Sequence, residues 1–156
     1  ETKNYFNNIE LSNNLFFNKA KFRDNADYNG FQSTVYNSSR DIKGNDIPLV
    51  PNYTLNSNLI YKLSKNNEIV TNLNYQSSMR MENDEENFQH TKIPSYLIYN
   101  IGFTSSMENF LLSFEVNNIF DTNYFNYAVS SSNTQGTYNA YPEPGRTLSI
   151  NLNYNF

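Results

Sequence analysis

A single histidine and a run of carboxylates are the first residues in this chain that could do chemistry. His90 closes the segment Glu82-Asn83-Asp84-Glu85-Glu86-Asn87-Phe88-Gln89-His90. Closely spaced carboxylate and amide oxygens suit a hard cation held by a loop of fixed ligand positions, as in the calcium-binding hand. The spacing here does not match such a loop, and the segment reads as solvated and external. No nucleophile–histidine–acid set, phosphate-binding loop or His-Glu-x-x-His helix occurs in the sequence. Catalysis is therefore not expected, and no cofactor is implied. Cysteine is absent, so neither a disulfide framework nor a thiolate metal site is available.

What would position any functional residue is a set of strands. The 156 residues suffice for one ordinary domain. Hydrophobic residues make up 38% and the mean hydropathy is −0.70. No run approaches the ~20 apolar residues of a membrane-spanning helix. A barrel strand spends only half its residues on lipid, so the same average is compatible with a transmembrane β-barrel. Aromatics reach 16%, with 13 Tyr, 12 Phe and no Trp, and Asn occurs about 30 times. A disordered chain would lack those aromatics. The net charge is −4 and the pI near 4.9. A basic surface of the kind nucleic acid requires is missing, and no nucleic-acid partner is expected.

The alternation is cleanest in Thr147-Leu148-Ser149-Ile150-Asn151-Leu152-Asn153-Tyr154-Asn155-Phe156. Alternate side chains of a strand point to opposite faces, so one face here is apolar and the other carries amides and hydroxyls. Leu148, Ile150, Leu152, Tyr154 and Phe156 are expected on one face and Ser149, Asn151, Asn153 and Asn155 on the other. Five further segments alternate in the same way: about 5–22, 53–63, 69–80, 96–105 and 110–118. Apolar residues recur at two, not at three and four, which excludes amphipathic helices. Arg80 and Glu115 lie on polar parities, a placement that permits a lumenal position for each. Tyr61, Tyr75, Tyr99, Tyr154 and Phe156 lie on apolar parities and read as lipid-facing aromatics.

The connections sort by length. Ser64-Lys65-Asn66-Asn67 and Ser106-Met107-Glu108-Asn109 are short and have turn chemistry. The links over about 23–52, 81–95 and 119–146 are long. Tight turns on one rim and long loops on the other is the layout of an outer-membrane barrel. The expectation is an all-β, antiparallel up-and-down transmembrane barrel segment of about six strands, paired in sequence order.

Two motifs precede the final strand. The first is Asn118-Ile119-Phe120-Asp121 with Tyr124; the second is Pro144-Gly145-Arg146. The order of strand, Asn-(Leu/Ile)-Phe-Asp-x-x-Tyr, loop, Pro-Gly-Arg, strand and terminal Phe resembles the C-terminal end of TonB-dependent outer-membrane receptors. Ile47-Pro48-Leu49-Val50-Pro51 resembles a segment found earlier in that barrel. The resemblance implies a barrel of about 22 strands with a plugged lumen, in the outer membrane of a Gram-negative bacterium. It implies uptake of ferric siderophores, vitamin B12, haem or saccharides, energised through TonB. The expected partners are outer-membrane lipid, the TonB complex through the missing N-terminal part, a small-molecule substrate and the barrel-assembly machinery. Tyr154 and Phe156 would form the assembly signal.

Six strands cannot close such a barrel, and a plug domain is absent from residues 1–156. With Glu1-Thr2-Lys3 at the start and no signal peptide, the chain reads as a C-terminal fragment of the barrel or a mature product. The motif residues read first as structure. Gly145 permits a tight backbone, Pro142 and Pro144 stiffen its approach, and Asn118 and Asp121 suit turn hydrogen bonds. Substrate contact is not expected of them. Two rival readings are another outer-membrane barrel, a pore or adhesin, and a soluble secreted β-sandwich binding through its loops.

Overall fold

The computed structural model describes residues 2–25, 41–131 and 134–154. Nine strands form: β1 (Thr2–Phe6), β2 (Ile9–Phe17), β3 (Tyr53–Lys62), β4 (Asn67–Gln76), β5 (Tyr96–Met107), β6 (Phe110–Asn117), β7 (Phe125–Ser130), β8 (Tyr138–Pro142) and β9 (Thr147–Tyr154). Seven of them build one antiparallel sheet in the order β1-β2-β3-β4-β5-β6-β9. β7 and β8 pair separately, as a hairpin inside the last long loop. Among the described residues no helix is long and apolar enough to cross a membrane, which says nothing of strands.

The register follows from the period-two pattern. Along one face β6 and β9 align Phe110 with Tyr154, Leu112 with Leu152, Phe114 with Ile150 and Val116 with Leu148. The same face continues through Phe103 and Ile101 to Ile69, Leu73 and Tyr75, then to Leu55, Leu59 and Tyr61. A slip of one residue in any pair would swap this face for the amide face. The apolar face is open: Leu148, Ile150 and Leu152 are 69%, 61% and 64% exposed. No second layer covers it among the described residues, which removes the sandwich architecture.

Aromatics collect at both ends of that face. Near the long loops Phe17 meets Tyr53, Tyr53 stacks on Tyr75, and Tyr99 meets Phe120. Near the tight turns lie Tyr61 and the Phe110–Tyr154 pair, ring centroids 4.7 Å apart. Tyr53 and Tyr61 mark the two ends of β3, roughly 27 Å apart along an extended strand. Outer-membrane barrels carry an apolar band about 25 Å tall between aromatic girdles.

The wall has seven strands where six were expected, because the segment over 5–22 is not one strand. It breaks at Asn7 and Asn8, with Asn7 in the left-handed region at φ 45°. Asparagine tolerates that conformation, so the pair makes a hairpin turn. The alternation on either side masks the break, since Phe6 and Ile9 pair directly across it. The tight turns at Asn7-Asn8, at 63–66 and at Glu108-Asn109 share one rim, and the loops over 18–52, 77–95 and 118–146 share the other. Phe156 and Asn155 lie outside the described residues.

Buried apolar side chains sit mainly in the loops. Met79, Met81, Ile93 and Ala128 form a cluster with Leu49, Phe125 and Ala140 packed against it. Backbone bonds tie the loops together: Leu49 N donates to Arg80 O (2.9 Å), Glu82 N to Ala128 O (2.9 Å) and Ser130 N to Glu82 O (2.9 Å). The acidic segment, expected to be solvated, folds into this unit. The Asp84 side chain is fully buried, ion-paired to Arg80 at 3.1 Å, and accepts from Gln89 N at 2.9 Å. Gln89 in turn donates to Ser131 O at 2.7 Å. Burial pressed most of these polar groups to find a partner, a demand that composition does not reveal; Arg80 Nε and Asn87 Oδ1 are buried without one. His90 itself stays exposed.

The two faces make opposite demands on one substitution. In the full-length protein refolded into lipid vesicles, Ile150→Arg should cost about 2–4 kcal/mol, the range for a cation at mid-depth on a lipid face. Asn151→Arg, one residue along, should cost less than about 1 kcal/mol. Urea titration measures both, and equal costs would contradict the facing assigned here.

Candidate functional site

The two sequence motifs converge where the last loop leaves and rejoins the wall. β6 ends at Asn117, and Asn118 and Asp121 both take left-handed φ values, 52° and 55°. The turn between them closes through Asp121 N to Asn118 O at 2.8 Å. The Asn118 side chain, 3% exposed, accepts from Thr122 N and donates to Thr122 O, each at 2.9 Å. It also reaches Pro144 O at 3.5 Å. One amide thus satisfies both backbone groups of Thr122 and touches the second motif.

Asp121 and Gly145 form the tightest contact of the site. Asp121 Oδ1 accepts from Arg146 N at 2.8 Å. A Cβ on Gly145 would lie 2.7 Å from the same oxygen. A side chain at 145 would displace the Asp121 carboxylate, so glycine is favoured there by close approach and not by a special φ. Arg146 Nη1 reaches Ile119 O at 3.4 Å, and Ile119 N donates to Tyr99 O at 2.9 Å. Phe120, 70% exposed, turns outward beside Tyr99. Tyr124 packs on Tyr96 with ring centroids 4.6 Å apart, and its carbonyl accepts from Glu143 N at 3.0 Å. Burial first, and then the Glu143 carboxylate, raise the Tyr124 phenol above its ordinary range.

This clamp roofs a cavity of about 490 Å³ on the polar face of the sheet. Thr54, Asn56, Asn74, Gln76 and Asn100 line it from the wall, and Asn118, Tyr124, Asn126, Glu143, Pro144 and Gly145 line it from the loop. Only structural roles were expected for the motif residues; Asn118, Tyr124, Pro144 and Gly145 form the cavity wall as well. Ile119, Phe120, Asp121 and Arg146 hold the clamp from outside the lining. Tyr154 lies at the far rim, away from the cavity. Arg80 is engaged by Asp84 and by Gln89 O at 2.6 Å, and Glu115 faces Gly102 and Ser149 on the polar side.

The wall amides were not singled out by sequence reading. They sit at one level of three adjacent strands and bond sideways. Asn72 donates to Asn58, Asn74 donates to Asn72, Asn100 donates to Asn72 at 3.3 Å, and Asn118 N donates to Asn100 Oδ1 at 2.8 Å. The usable signal was Asn at matching positions of polar parity, but it depends on knowing the register. No cluster of metal-ligating His, Cys, Asp or Glu exists among the described residues.

Solved structures share this fold. The siderophore receptor PiuA from Acinetobacter baumannii superposes with a TM-score of 0.76 at 17% identity, over 96% of this chain and 20% of that one. The ferric yersiniabactin uptake receptor FyuA from Yersinia pestis gives 0.73 at 19% identity, over 97% and 22%. The ferric-catecholate import receptor Fiu from K12 E. coli gives 0.69 at 18% identity, over 98% and 19%. The chain spans about a fifth of the length of these proteins. No family model and no curated protein matches it. The chain has the fold of a wall section from the barrel of TonB-dependent siderophore receptors. The named neighbours are receptors for import, and none is described as an enzyme.

The Asp121–Gly145 contact yields a double-mutant test. Gly145→Ala should destabilise by about 1–3 kcal/mol through overpacking. Asp121→Ala should lose about 1.5–3 kcal/mol with its charge-assisted bond to Arg146 N. In the Asp121→Ala background, Gly145→Ala should become nearly neutral, because the clashing oxygen is gone. Additive losses in denaturant titrations would refute the contact.

Proposed function

We propose that this chain is the C-terminal wall and external-loop surface of a TonB-dependent outer-membrane receptor that imports a ferric siderophore or a similar scarce nutrient. The observation that carries the reading is the seven-stranded antiparallel meander, with its apolar face open and its amide face turned to a cavity beneath a clamped external loop. Its likeness to siderophore receptors over nearly the whole chain supports it. In this reading β1 and β9, the two open edges of the sheet, pair with the rest of the barrel, since unpaired backbone groups in lipid each cost several kcal/mol. The TonB complex acts through the part of the receptor beyond this chain.

The test is uptake of radiolabelled ferric siderophores by cells carrying the full-length gene. Import should depend on that gene and stop when TonB is removed or the proton gradient is collapsed. Import that persists after either treatment would count against an energised receptor.

The reading adds the barrel-assembly machinery as a partner for Tyr154 and Phe156 at the end of the sequence, recognised through edge pairing and an apolar face. Even full burial of a Phe ring is worth only on the order of 1.5–3 kcal/mol, little against a closed barrel. Phe156→Ala in the full-length protein should therefore lower outer-membrane abundance more than the heat resistance of the assembled fraction. Normal abundance with weakened heat resistance would assign Phe156 to packing.

A further inference from the structure

We infer that the cavity beneath the loop clamp accepts an uncharged, oxygen-rich ferric chelate and discriminates against polyanionic ones. The inference rests on the receptor reading above and deepens it. At about 490 Å³ the cavity falls within the range of small-molecule sites. Its polar groups are mostly primary amides, from Asn56, Asn74, Gln76, Asn100 and Asn126. Each such amide presents donors and acceptors together, which matches carbonyl and hydroxyl oxygens without asking for net charge. The bonds from Asn74 and Asn100 to Asn72 hold two of these amides in place. The tilted Tyr96–Tyr124 pair adds flat apolar surface.

The charge of the cavity decides the class of ligand. Glu143 is the one charged residue among its described lining residues. Sites for carboxylate, phosphate or other oxyanions use Arg or Lys, and neither is among the described residues that line this one. The arginines of the neighbouring segments are engaged elsewhere, Arg80 with Asp84 and Gln89 O, and Arg146 with Ile119 O. Burial first, and then the Glu143 carboxylate, raise the neighbouring Tyr124 phenol, and the same carboxylate lines the cavity, where it opposes further negative charge. A polyanion placed here would meet like charge with no compensating cation among the described lining residues, an arrangement that disfavours its binding.

Binding and uptake are measured separately on the full-length receptor in outer-membrane vesicles and in cells. The probes are ferrichrome, an uncharged ferric trihydroxamate, and ferric enterobactin, a trianionic tris-catecholate. The native receptor should bind ferrichrome at least about tenfold more tightly than ferric enterobactin. Glu143→Lys should narrow that ratio by about tenfold, the order expected from replacing a repelling charge with an attracting one. Asn126→Lys, at an exposed lining position, should act in the same direction if Glu143→Lys fails to assemble. Tighter binding of ferric enterobactin, binding of neither probe, or a ratio unmoved by both variants overturns the inference. The predicted preference without energised uptake upholds the cavity assignment and sinks the transport reading. Energised uptake confined to the anionic probe does the reverse.

Discussion

The structure depends on one constraint: each backbone N–H and C=O in the wall has to find its partner on the next strand. In lipid, where the proposed function puts this wall, no alternative partner exists, so the ladder has to be continuous and its register fixed. Six strand pairings in the wall meet that demand without a register break. Once the ladder is set, side chains have no choice of face. Leucine, isoleucine and the aromatics go to one side, and asparagine, serine and threonine go to the other. The unusual asparagine content then has a physical use, since amides on the polar face can bond from strand to strand, as Asn72 with Asn58 and Asn100 with Asn72, and along one strand, as Asn74 with Asn72.

The same constraint explains where the hydrophobic core is. In a soluble sheet protein it would lie against the sheet. Here the apolar face looks outward, and the buried cluster lies among the loops beyond the wall. Those loops stand in water, so they can gain from burying Met79, Met81 and Ile93 as an ordinary domain does. Burial brings its usual obligation to pair polar groups. Asp84 and Gln89 meet it with an ion pair to Arg80 and a set of backbone bonds, while Arg80 Nε is left without a partner. The outcome is a folded cap rather than three independent loops.

The cap and the wall meet at the clamp. Asn118 and Asp121 act through short side chains that reach backbone groups a few residues away and across the loop. Both sit at positive φ, where asparagine and aspartate are tolerated better than most residues. Gly145 completes the contact by having no side chain. A clamp made of backbone partners holds the loop base at a fixed height, which gives the amide face a roof and so a cavity. Its chemistry is set by whichever residues the strands bring to that level.

Much of the wall was legible in the sequence. Period-two alternation identifies strands, their faces and their order, because a strand's side-chain geometry is local and has no free parameter. The loop sorting and the Asn118–Asp121 and Pro144–Arg146 motifs were equally visible, since turn residues announce themselves by type. The Asn7-Asn8 turn was not separated from its strands, because alternation runs unbroken on both sides of it. Three things required the folded chain. The β7–β8 hairpin lies in a segment read as loop, and its place is fixed by a distant tie to Glu82 through the Val129 bridge and Ser130 N. Asp84 and Gln89 became buried because three distant loops packed together. The cavity exists because residues from β3, β4, β5 and the last loop, far apart in the chain, meet at one level. Local geometry is written in neighbouring residues; which distant residues share a space is decided only when closure entropy has been spent and the contacts are made.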